Sequence, residues 1–247
     1  MSDKPIGGKS YGSIPHLSNS RVGPGDYHCH EGQERIATVQ ARDGKDHIIV
    51  QEKMDGSNVG IARIDGKLYP LTRKGYIANT SPYSQHHIFY DWVMGFEDNF
   101  AFLKDGERVC GEWLLQAHGT IYAHLKSVLY VFDLFRNNQR VGLTEYKERL
   151  SNCGFWFAPA IWEGGPIAVA DAMSLVGEHG CGLALDGPEG VVYRVYRNDK
   201  FDFLCKYVRQ DKIDGKYLPE KSGTGNPVFN IDSLFLGKRE KQNGKDG

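Results

Sequence analysis

Residues 47–75 hold the pattern that most constrains the fold of this chain. A strand-like pattern begins near Ile36, and the apolar run HIIVQEK ends at Lys53. The run NVGIARIDGKLYPLTRKG follows, and in it Asp65-Gly66 separates two stretches in which apolar and polar residues alternate. Alternation with a period of two predicts strands, and an Asp-Gly pair between them predicts a tight hairpin. The segment therefore predicts an antiparallel sheet.

Helical and strand patterns fill the rest of the chain. Apolar residues at helical spacing predict a helix within residues 83–103. Two more helices are predicted, at LTEYKERLSNCG with Thr144 as N-cap and Gly154 as stop, and at AVADAMSLVGEHG with Gly180 past its end. Short apolar runs predict further strands at ERVCGEWLL, SVLYVFDLF, EGVVYRVYR and KFDFLCKYVR. Many strands with two or three helices indicate an α+β fold of antiparallel sheets flanked by helices.

One domain is predicted for residues 1–236. The chain has 247 residues, of which 40% are hydrophobic, and this is enough to fill a sizeable core. Residues 1–30 are rich in Gly, Ser, Pro and His, so an irregular N-terminal arm is predicted. Residues 237–247 are charged and contain glycine, so a disordered tail is expected.

The composition excludes several classes of protein. The net charge is -1, so any site for a polyanion must be a local cleft. Five scattered cysteines without a CxxC pair argue against a disulfide framework and a zinc ribbon, and indicate a reducing, cytoplasmic compartment. The sequence has no apolar run long enough to predict a membrane span, and its first residues do not have the hydrophobic region of a secretion signal. The histidines at 28, 30, 86 and 87 lack zinc-finger spacing and are interpreted as solvated or hydrogen-bonded.

Four polar signals stand at the ends of predicted strands, in a fixed order. They are Lys53-Met54-Asp55-Gly56, Gly111-Glu112-Trp113, Glu189-Gly190-Val191-Val192 and Lys206-Tyr207. Their order and spacing, over residues 48–208, resemble those of the covalent nucleotidyltransferase superfamily of polynucleotide ligases and capping enzymes. The stretches LTRKG, GEWLLQAHGTIY and LCKYVRQD are most similar to the ATP-dependent RNA ligases.

This resemblance implies both a fold and an activity. The fold would be a nucleotidyltransferase (adenylation) domain with an ATP-grasp-like ligase architecture. A C-terminal oligonucleotide-binding barrel is not expected, because residues 207–247 are too few for it. The activity would be RNA ligation in RNA repair, joining 5'-phosphate and 3'-hydroxyl RNA ends through a lysyl-AMP intermediate. ATP and Mg²⁺ (or Mn²⁺) are the implied cofactors, RNA ends the implied partners, and no membrane is implied.

Three residues carry the implied chemistry. Lys53 would attack the α-phosphorus of ATP, and Lys206 would bind the α-phosphate and stabilise charge as pyrophosphate leaves. A lysine amine attacks only when neutral, and its ordinary pKa is roughly 10.4, so desolvation or nearby positive charge must favour the neutral form. Mg²⁺ and Lys206 would supply that charge. The negative charge of Asp55 would oppose it, unless Asp55 orients the amine.

The other implied roles concern nucleotide and metal binding. Glu52 and Arg73 are assigned to the nucleotide, and Arg73 also to the nucleic-acid end. Glu112 would accept hydrogen bonds from the ribose hydroxyls, and Phe132 would stack on adenine. Glu189 would be a ligand of Mg²⁺, which needs only one or two carboxylates.

Each assignment has a simpler alternative. Lys53 would then be a solvated lysine in a turn, and Lys206 a lysine at a strand end. Glu112 would form a buried salt bridge with an arginine, because an unpaired carboxylate on an apolar strand is costly. Phe132 would be a core residue. Asp133, next to it, is interpreted as structural.

One position departs from the pattern of the ligases. Many of them carry a second lysine two positions before the one that matches Lys206, and this chain has Leu204 there. Lys200 or Lys74 could compensate. Two alternative functions stay open: a DNA or hybrid-nick ligase of the same superfamily, and a module that binds ATP or RNA without turnover, which Leu204 favours.

Overall fold

Two antiparallel sheets organise the chain in a computed structural model, which describes residues 4–223 and 225–230. In chain order the strands are β1 (Asp46–Lys53), β2 (Ser57–Ile64), β3 (Lys67–Thr72), β4 (Glu107–Trp113), β5 (Leu129–Arg136), β6 (Gln139–Arg140), β7 (Trp156–Phe157), β8 (Ala160–Gly164), β9 (Gly190–Arg197) and β10 (Lys200–Val208). The first sheet has the order β10-β9-β1-β8, and the second β3-β2-β4-β5-β6, with β7 beside β5. Only the β5–β7 pair is parallel among the described strands. The predicted α+β class is confirmed.

Tight turns set the register of the two main hairpins. Asp65 and Gly66 have φ values of 49° and 75°, as a type I′ turn requires, and they join β2 to β3. Asn198 and Asp199 do the same between β9 and β10, with φ values of 49° and 66°. The hairpin predicted from the Asp-Gly pair is therefore confirmed.

Most of the described helices pack against the sheets. They are α1 (Glu31–Thr38), α2 (Ser84–Gly95), α3 (Leu143–Ser151), α4 (Val169–Val176) and α5 (Pro219–Ser222), with 3₁₀ turns at Ala78–Thr80 and Glu97–Phe100. The helix predicted within residues 83–103 thus ends early and continues as a 3₁₀ turn. The helix α4 ends at Gly177, which has a φ of 77°, three residues before the predicted stop at Gly180.

One prediction about a helix start and one about a strand start are wrong. Thr144 is not the N-cap of α3, because Gly142 holds that position and Asp199 accepts hydrogen bonds from the Thr144 backbone and hydroxyl at 2.7 and 2.8 Å. The strand-like pattern from Ile36 also conceals α1. That helix begins with a capping box formed by His30 and Gln33, and histidine is not a usual N-cap residue.

Apolar side chains from both sheets form the largest core cluster. Ile49 of β1 and Val131 of β5 meet there with Phe89 of α2. A second cluster packs the other face of the first sheet against Ala37 of α1 and Ala172 of α4. The two sheets are therefore held face to face in part of their extent, and side chains at their ends remain available to line a cavity.

The N-terminal arm is irregular over residues 4–30, yet it is firmly attached to the sheets. Tyr11 and Leu17 are buried. Lys206 of β10 donates its backbone N–H to Pro15 and accepts one from Leu17. The predicted tail at residues 237–247 lies outside the described residues. Within the described part of the chain, no helix combines the length and apolar character that crossing a membrane requires.

Gly75 permits the closest approach of the arm to the second sheet. Its φ is 86°, and a Cβ there would lie 1.8 Å from the Gly8 carbonyl oxygen. We expect Gly75→Ala to destabilise the protein by more than Gly66→Ala, whose cost of roughly 1–2 kcal/mol would come from backbone strain alone. Gly66 has a similar φ of 75° and no atom near its Cβ position.

Urea unfolding of the two variants measures this difference, and limited proteolysis of residues 4–15 reports release of the arm. Equal unfolding free energies and equal protection of the arm would contradict the role given to this contact.

Candidate functional site

A cavity of about 350 Å³ lies between the ends of the two sheets. It brings together all eight residues that were assigned to the site from the sequence. They are Glu52, Lys53, Asp55, Arg73, Glu112, Phe132, Glu189 and Lys206. These residues lie on or next to strands of both sheets, so they come together only when the two sheets pack in the folded protein.

Lys53 and Glu189 form an ion pair inside the cavity. Lys53 is the last residue of β1 and lies opposite Gly190, the first residue of β9, so Glu189 directly adjoins it. The Nζ–Oε2 distance is 2.6 Å, and the side chains are 22% and 9% exposed. Burial lowers the pKa of Lys53, but the carboxylates of Glu189, Glu112 and Asp55 outweigh it and raise that pKa above its ordinary value. Lys53 is therefore held as an ammonium, and it is not a solvated turn lysine.

Glu112 projects from β4 into the same cavity. It accepts a hydrogen bond from the Gly56 backbone N–H at 3.2 Å. Burial raises the pKa of Glu112 to about 7, against the opposing charge of Lys53. No arginine lies within ion-pair distance of it among the described residues, so the alternative of a buried salt bridge is not supported. Near neutral pH its carboxyl group can both donate and accept hydrogen bonds.

Asp55 is neutralised by a residue that the sequence reading missed. Its Oδ2 accepts a hydrogen bond from the Gly119 backbone N–H at 2.7 Å and forms an ion pair with the ammonium of Lys212. The Lys212 side chain is only 2% exposed. Lys212 lies in the irregular segment after β10, where no periodic pattern marks a residue as buried. Its cation offsets the negative charge that Asp55 would otherwise present to Lys53.

Removing this cation should strongly destabilise the protein. We expect Lys212→Met to lower the free energy of unfolding by roughly 3–5 kcal/mol, because it leaves the Asp55 carboxylate without its buried counter-ion. The double variant Lys212→Met/Asp55→Asn should recover much of that loss. Urea denaturation of the two single variants and the double variant measures the coupling.

Lys216→Met is the matched control. Lys216 forms an ion pair with Asp186 at the surface, where its side chain is 42% exposed. Solvent screens such pairs, so the control should change stability far less. Similar losses in the Lys212 and Lys216 variants, or additive effects in the double variant, would contradict the buried pair.

The N-terminal arm holds Lys206 in place. The Lys206 ammonium lies 3.9 Å from Asp26, and its side chain is 13% exposed. Burial lowers the pKa of Lys206, and the charge of Lys53 lowers it further. His16 also contacts Asp26, at 3.2 Å. Neither Asp26 nor His16 was assigned to the site, because nothing in the irregular arm predicts that it runs beside β10.

Leu204 lies two residues before Lys206 on β10, so the two side chains are on the same face of the strand. Leu204 packs with Tyr11, Cys110 and Phe135. Lys200 and Lys74 were considered as replacements for the lysine that many ligases have at position 204. Neither of them lines the cavity. Lys212, which pairs with Asp55, and Arg194, which lines the cavity and pairs with Asp133, are additional buried cations of this region.

The cavity is also lined by two residues with unpaired acceptor atoms, Glu52 and Asn58, and by a half-buried aromatic ring. Glu52 is buried and accepts the Cys181 backbone N–H at 2.9 Å through Oε2, while its Oε1 has no hydrogen-bond partner among the described residues. Burial raises the pKa of Glu52. Phe132 meets the edge of Tyr11 with ring centroids 5.2 Å apart. Because Phe132 also lines the cavity, it is not solely a core residue.

Two further predicted residues have structural contacts. Arg73 donates to the Ser13 hydroxyl at 3.3 Å, which ties the end of β3 to the arm. Asp133 is buried between Arg194 at 2.9 Å and Arg140 at 2.6 Å. The structural interpretation of Asp133 is therefore confirmed. The four histidines considered for metal all make hydrogen bonds to neighbouring residues.

Solved structures with a similar fold include RNA ligases from Naegleria gruberi. A lysine-to-alanine mutant of that enzyme with ATP and Mn matches with a TM-score of 0.54 and 17% identity, over 81% of this chain and 56% of that one. The same enzyme with PPi matches with a TM-score of 0.51 and 17% identity, over 90% and 63% of the two chains. At this identity the likeness concerns the fold.

Sequence comparison gives a family and one curated relative. An uncharacterised protein from Methanocaldococcus jannaschii is 28% identical over 160 residues, which are 60% of this chain and 38% of the relative. The chain thus spans less than two thirds of the length of this relative and of the Naegleria structures. The family model for RNA ligase matches residues 46–208, which is more than half of the chain. These residues include Lys53, Glu112, Glu189 and Lys206, and the chain belongs to the RNA ligase family.

Proposed function

We propose that this chain is an ATP-dependent RNA ligase that acts through a lysyl-AMP intermediate at Lys53. One observation carries the proposal: Lys53 lies in a cavity with Glu52, Glu112, Phe132 and Lys206, and its ammonium is paired with Glu189. A half-buried lysine surrounded by groups that suit a base, a ribose and a phosphate is the arrangement that nucleotidyl transfer needs.

ATP fits the polar groups of the cavity. The volume of about 350 Å³ is within the range of small-molecule sites. The free Glu52 Oε1 offers an acceptor for an amino group of the base, and Phe132 offers a ring for stacking. Glu112, with a pKa near 7, can exchange hydrogen bonds with ribose hydroxyls. Lys206 supplies the cation for the α-phosphate.

Glu189 is the residue that would hold a divalent cation. No cluster of three potential ligands from His, Cys, Asp or Glu exists in the described part of the chain. Mg²⁺ does not require one, because it binds through one or two carboxylates together with substrate phosphates and water. When bound, Mg²⁺ or Mn²⁺ would neutralise phosphate charge. The buried oxygens of Glu189 suit such a hard cation.

Lys53 must lose its proton before it can attack. Its amine then forms a bond to the α-phosphorus, and the bond from that phosphorus to the oxygen bridging to the β-phosphate breaks, which releases pyrophosphate. Lys206 stabilises the negative charge that develops. In the next step an oxygen of an RNA 5'-phosphate forms a bond to the phosphorus of the AMP, and the bond from that phosphorus to the Lys53 nitrogen breaks. A 3'-hydroxyl then attacks the activated 5'-phosphate and expels AMP, which joins the strands.

The first step can be tested without RNA. The protein is incubated with α-labelled ATP and Mg²⁺, and the label is located by peptide mass spectrometry. We expect one AMP per chain on Lys53 and its release on adding excess pyrophosphate, because the step is reversible. ATP binding without a covalent label would contradict the proposal and favour a binding module without turnover.

Sealing assays on matched ends test the substrate class. Nicked duplexes, broken hairpin loops and single-stranded ends are each prepared with RNA, DNA or one strand of each. We expect sealing of the RNA ends. Preferential sealing of DNA or hybrid nicks, by a chain that forms Lys53–AMP, would instead identify a DNA or hybrid-nick ligase.

A further inference from the structure

A second cavity, of about 700 Å³, adjoins the first on the other side of the N-terminal arm. Gly12 and Ile14 of the arm line both cavities. On β4, Glu112 faces the first cavity and Arg108 the second. These two residues are four apart on one strand, so their Cα atoms are separated by roughly 13 Å. The second cavity therefore continues the first along the same sheet face.

Arg108 is a buried cation without a carboxylate partner. The residue is 5% exposed, and no Asp or Glu lies within ion-pair distance of it in the described residues. Its guanidinium donates to the Asn138 side-chain oxygen at 2.9 Å and lies 4.4 Å from the centre of the Phe135 ring. Its Nε has no hydrogen-bond partner among the described residues. A buried, unpaired charge is costly, so a ligand that brings a negative charge would relieve that cost.

The electrostatics of the second cavity favour an anion. Lys9, Arg108 and Arg140 line it, and no Asp or Glu does so within the described ranges. Arg140 pairs with Asp133, but Arg194 shares that carboxylate, so this group keeps a net positive charge. The chain as a whole has a net charge of -1. The positive charge is thus local to the cleft.

Aromatic rings accompany these cations. Tyr27 and Phe201 line the second cavity, and Tyr27 is 53% exposed. Grooves that bind single-stranded nucleic acid combine positive charge along the backbone with rings on which bases stack. A small inorganic anion would fill little of about 700 Å³ and would make no use of the rings.

We propose that the second cavity binds the RNA strand whose end is being joined, with Arg108 contacting a phosphate of its backbone. The inference rests on the proposed function, because a ligase must hold a strand beside the nucleotide cavity. The arm at residues 12–14 would separate the strand from ATP. The spacing along β4 places the Arg108 contact a few nucleotides from the reacting end.

Two variants test Arg108 by different means. Arg108→Gln removes the cation, and Asn138→Asp places a carboxylate beside it and neutralises it in place. Lys147→Gln is the control, because it changes the net charge by the same single unit at an exposed position paired with Glu163. Binding is measured as the fluorescence anisotropy of a labelled, 5'-phosphorylated single-stranded RNA, titrated at several KCl concentrations with the full chain.

We expect both variants to weaken RNA binding roughly tenfold or more, because each removes a charge-assisted phosphate contact. The slope of log affinity against log salt should fall by roughly 0.7 in Arg108→Gln. The control should bind as the unaltered protein does. A DNA strand of the same sequence should lose affinity by a similar factor, because the contact is to phosphate.

Thermal unfolding separates this role from a structural one. Without RNA, Asn138→Asp should raise the melting temperature, because it gives Arg108 a partner, and Arg108→Gln should not lower it. RNA should stabilise the unaltered protein more than either variant. A lower melting temperature in both variants with unchanged RNA affinity would overturn the inference. The inference would also be overturned if the variants lost binding of inorganic phosphate but bound RNA as the unaltered protein does.

Separate measurements distinguish failure of the proposed ligase function from failure of the proposed RNA site. Strand binding needs no ATP, whereas Lys53 labelling needs no RNA. If Lys53–AMP forms but neither variant alters the RNA affinity, the proposed RNA site in the second cavity is wrong and the proposed ligase function stands. Absence of Lys53–AMP would overturn the ligase, whatever the anisotropy shows.

Discussion

Lys53→Arg is expected to abolish covalent transfer of AMP, with a loss on the order of 10⁴-fold or more. Arginine keeps a positive charge at every accessible pH, so it provides no neutral amine for attack on the α-phosphorus. The arginine can still donate hydrogen bonds to Glu189. In the unaltered protein Glu189 accepts a hydrogen bond from Lys53 at 2.6 Å. The substitution therefore removes the nucleophile and leaves the buried Glu189 carboxylate with a counter-ion.

Three measurements make this prediction specific. The covalent label is quantified after denaturing electrophoresis, ATP binding is measured by calorimetry, and stability by thermal unfolding. We expect the label to disappear while stability and ATP binding change little. Lys67→Arg, the same substitution at an exposed position of β3, should label normally. Residual label in Lys53→Arg, mapped to another residue, would show that Lys53 is not the nucleophile.

Lys53→Ala should behave differently in one respect. It also lacks the nucleophile, but it leaves Glu189 without its cation in a position where that side chain is 9% exposed. An unpaired buried carboxylate is unfavourable, so this variant should be less stable than Lys53→Arg. Comparing the two variants separates the chemical role of Lys53 from its contribution to the fold.

Most strands could be predicted from the sequence because their signals are local. The alternation in β2 and β3 and the Asp65-Gly66 turn between them lie within one short segment. The start of α3 depends on a longer-range contact. Asp199 caps α3 from 55 residues away, so the choice of Thr144 as N-cap, made from adjacent residues, could not succeed.

The site residues divide in the same way. Lys53, Glu112, Glu189 and Lys206 lie at or next to the ends of apolar strands, and their order along the chain resembles a family pattern. Lys212 has no such signal, since it is 157 residues from Asp55 and lies in an irregular segment. Tertiary packing alone makes it part of the site. Its ion pair offsets part of the Asp55 charge, while Asp55 still contributes to the raised pKa of Lys53.

Glu189 contacts the Lys53 ammonium and is also the residue proposed to bind a divalent cation. In the structure its carboxylate binds the Lys53 ammonium, and together with Glu112 and Asp55 it keeps the pKa of Lys53 raised despite burial. The proposed function gives the same carboxylate to a divalent cation. A carboxylate engaged with a cation attracts the ammonium less, so the proton of Lys53 should leave more readily. Glu189 would thereby couple cation binding to activation of the nucleophile.

Glu189→Gln should therefore change two properties of Lys53 in opposite directions. Formation of Lys53–AMP should fall roughly 10²-fold or more, because a charged group of the reaction site is lost. Modification of Lys53 by trinitrobenzenesulfonate at pH 9, without ATP, should become faster, because a lower pKa leaves more neutral amine. Mg²⁺ should accelerate this modification in the unaltered protein and not in the variant. Glu163→Gln, a change at an exposed carboxylate paired with Lys147, should alter neither property. If Glu189→Gln slowed the amine modification, or left AMP transfer intact, Glu189 would not control the charge of Lys53.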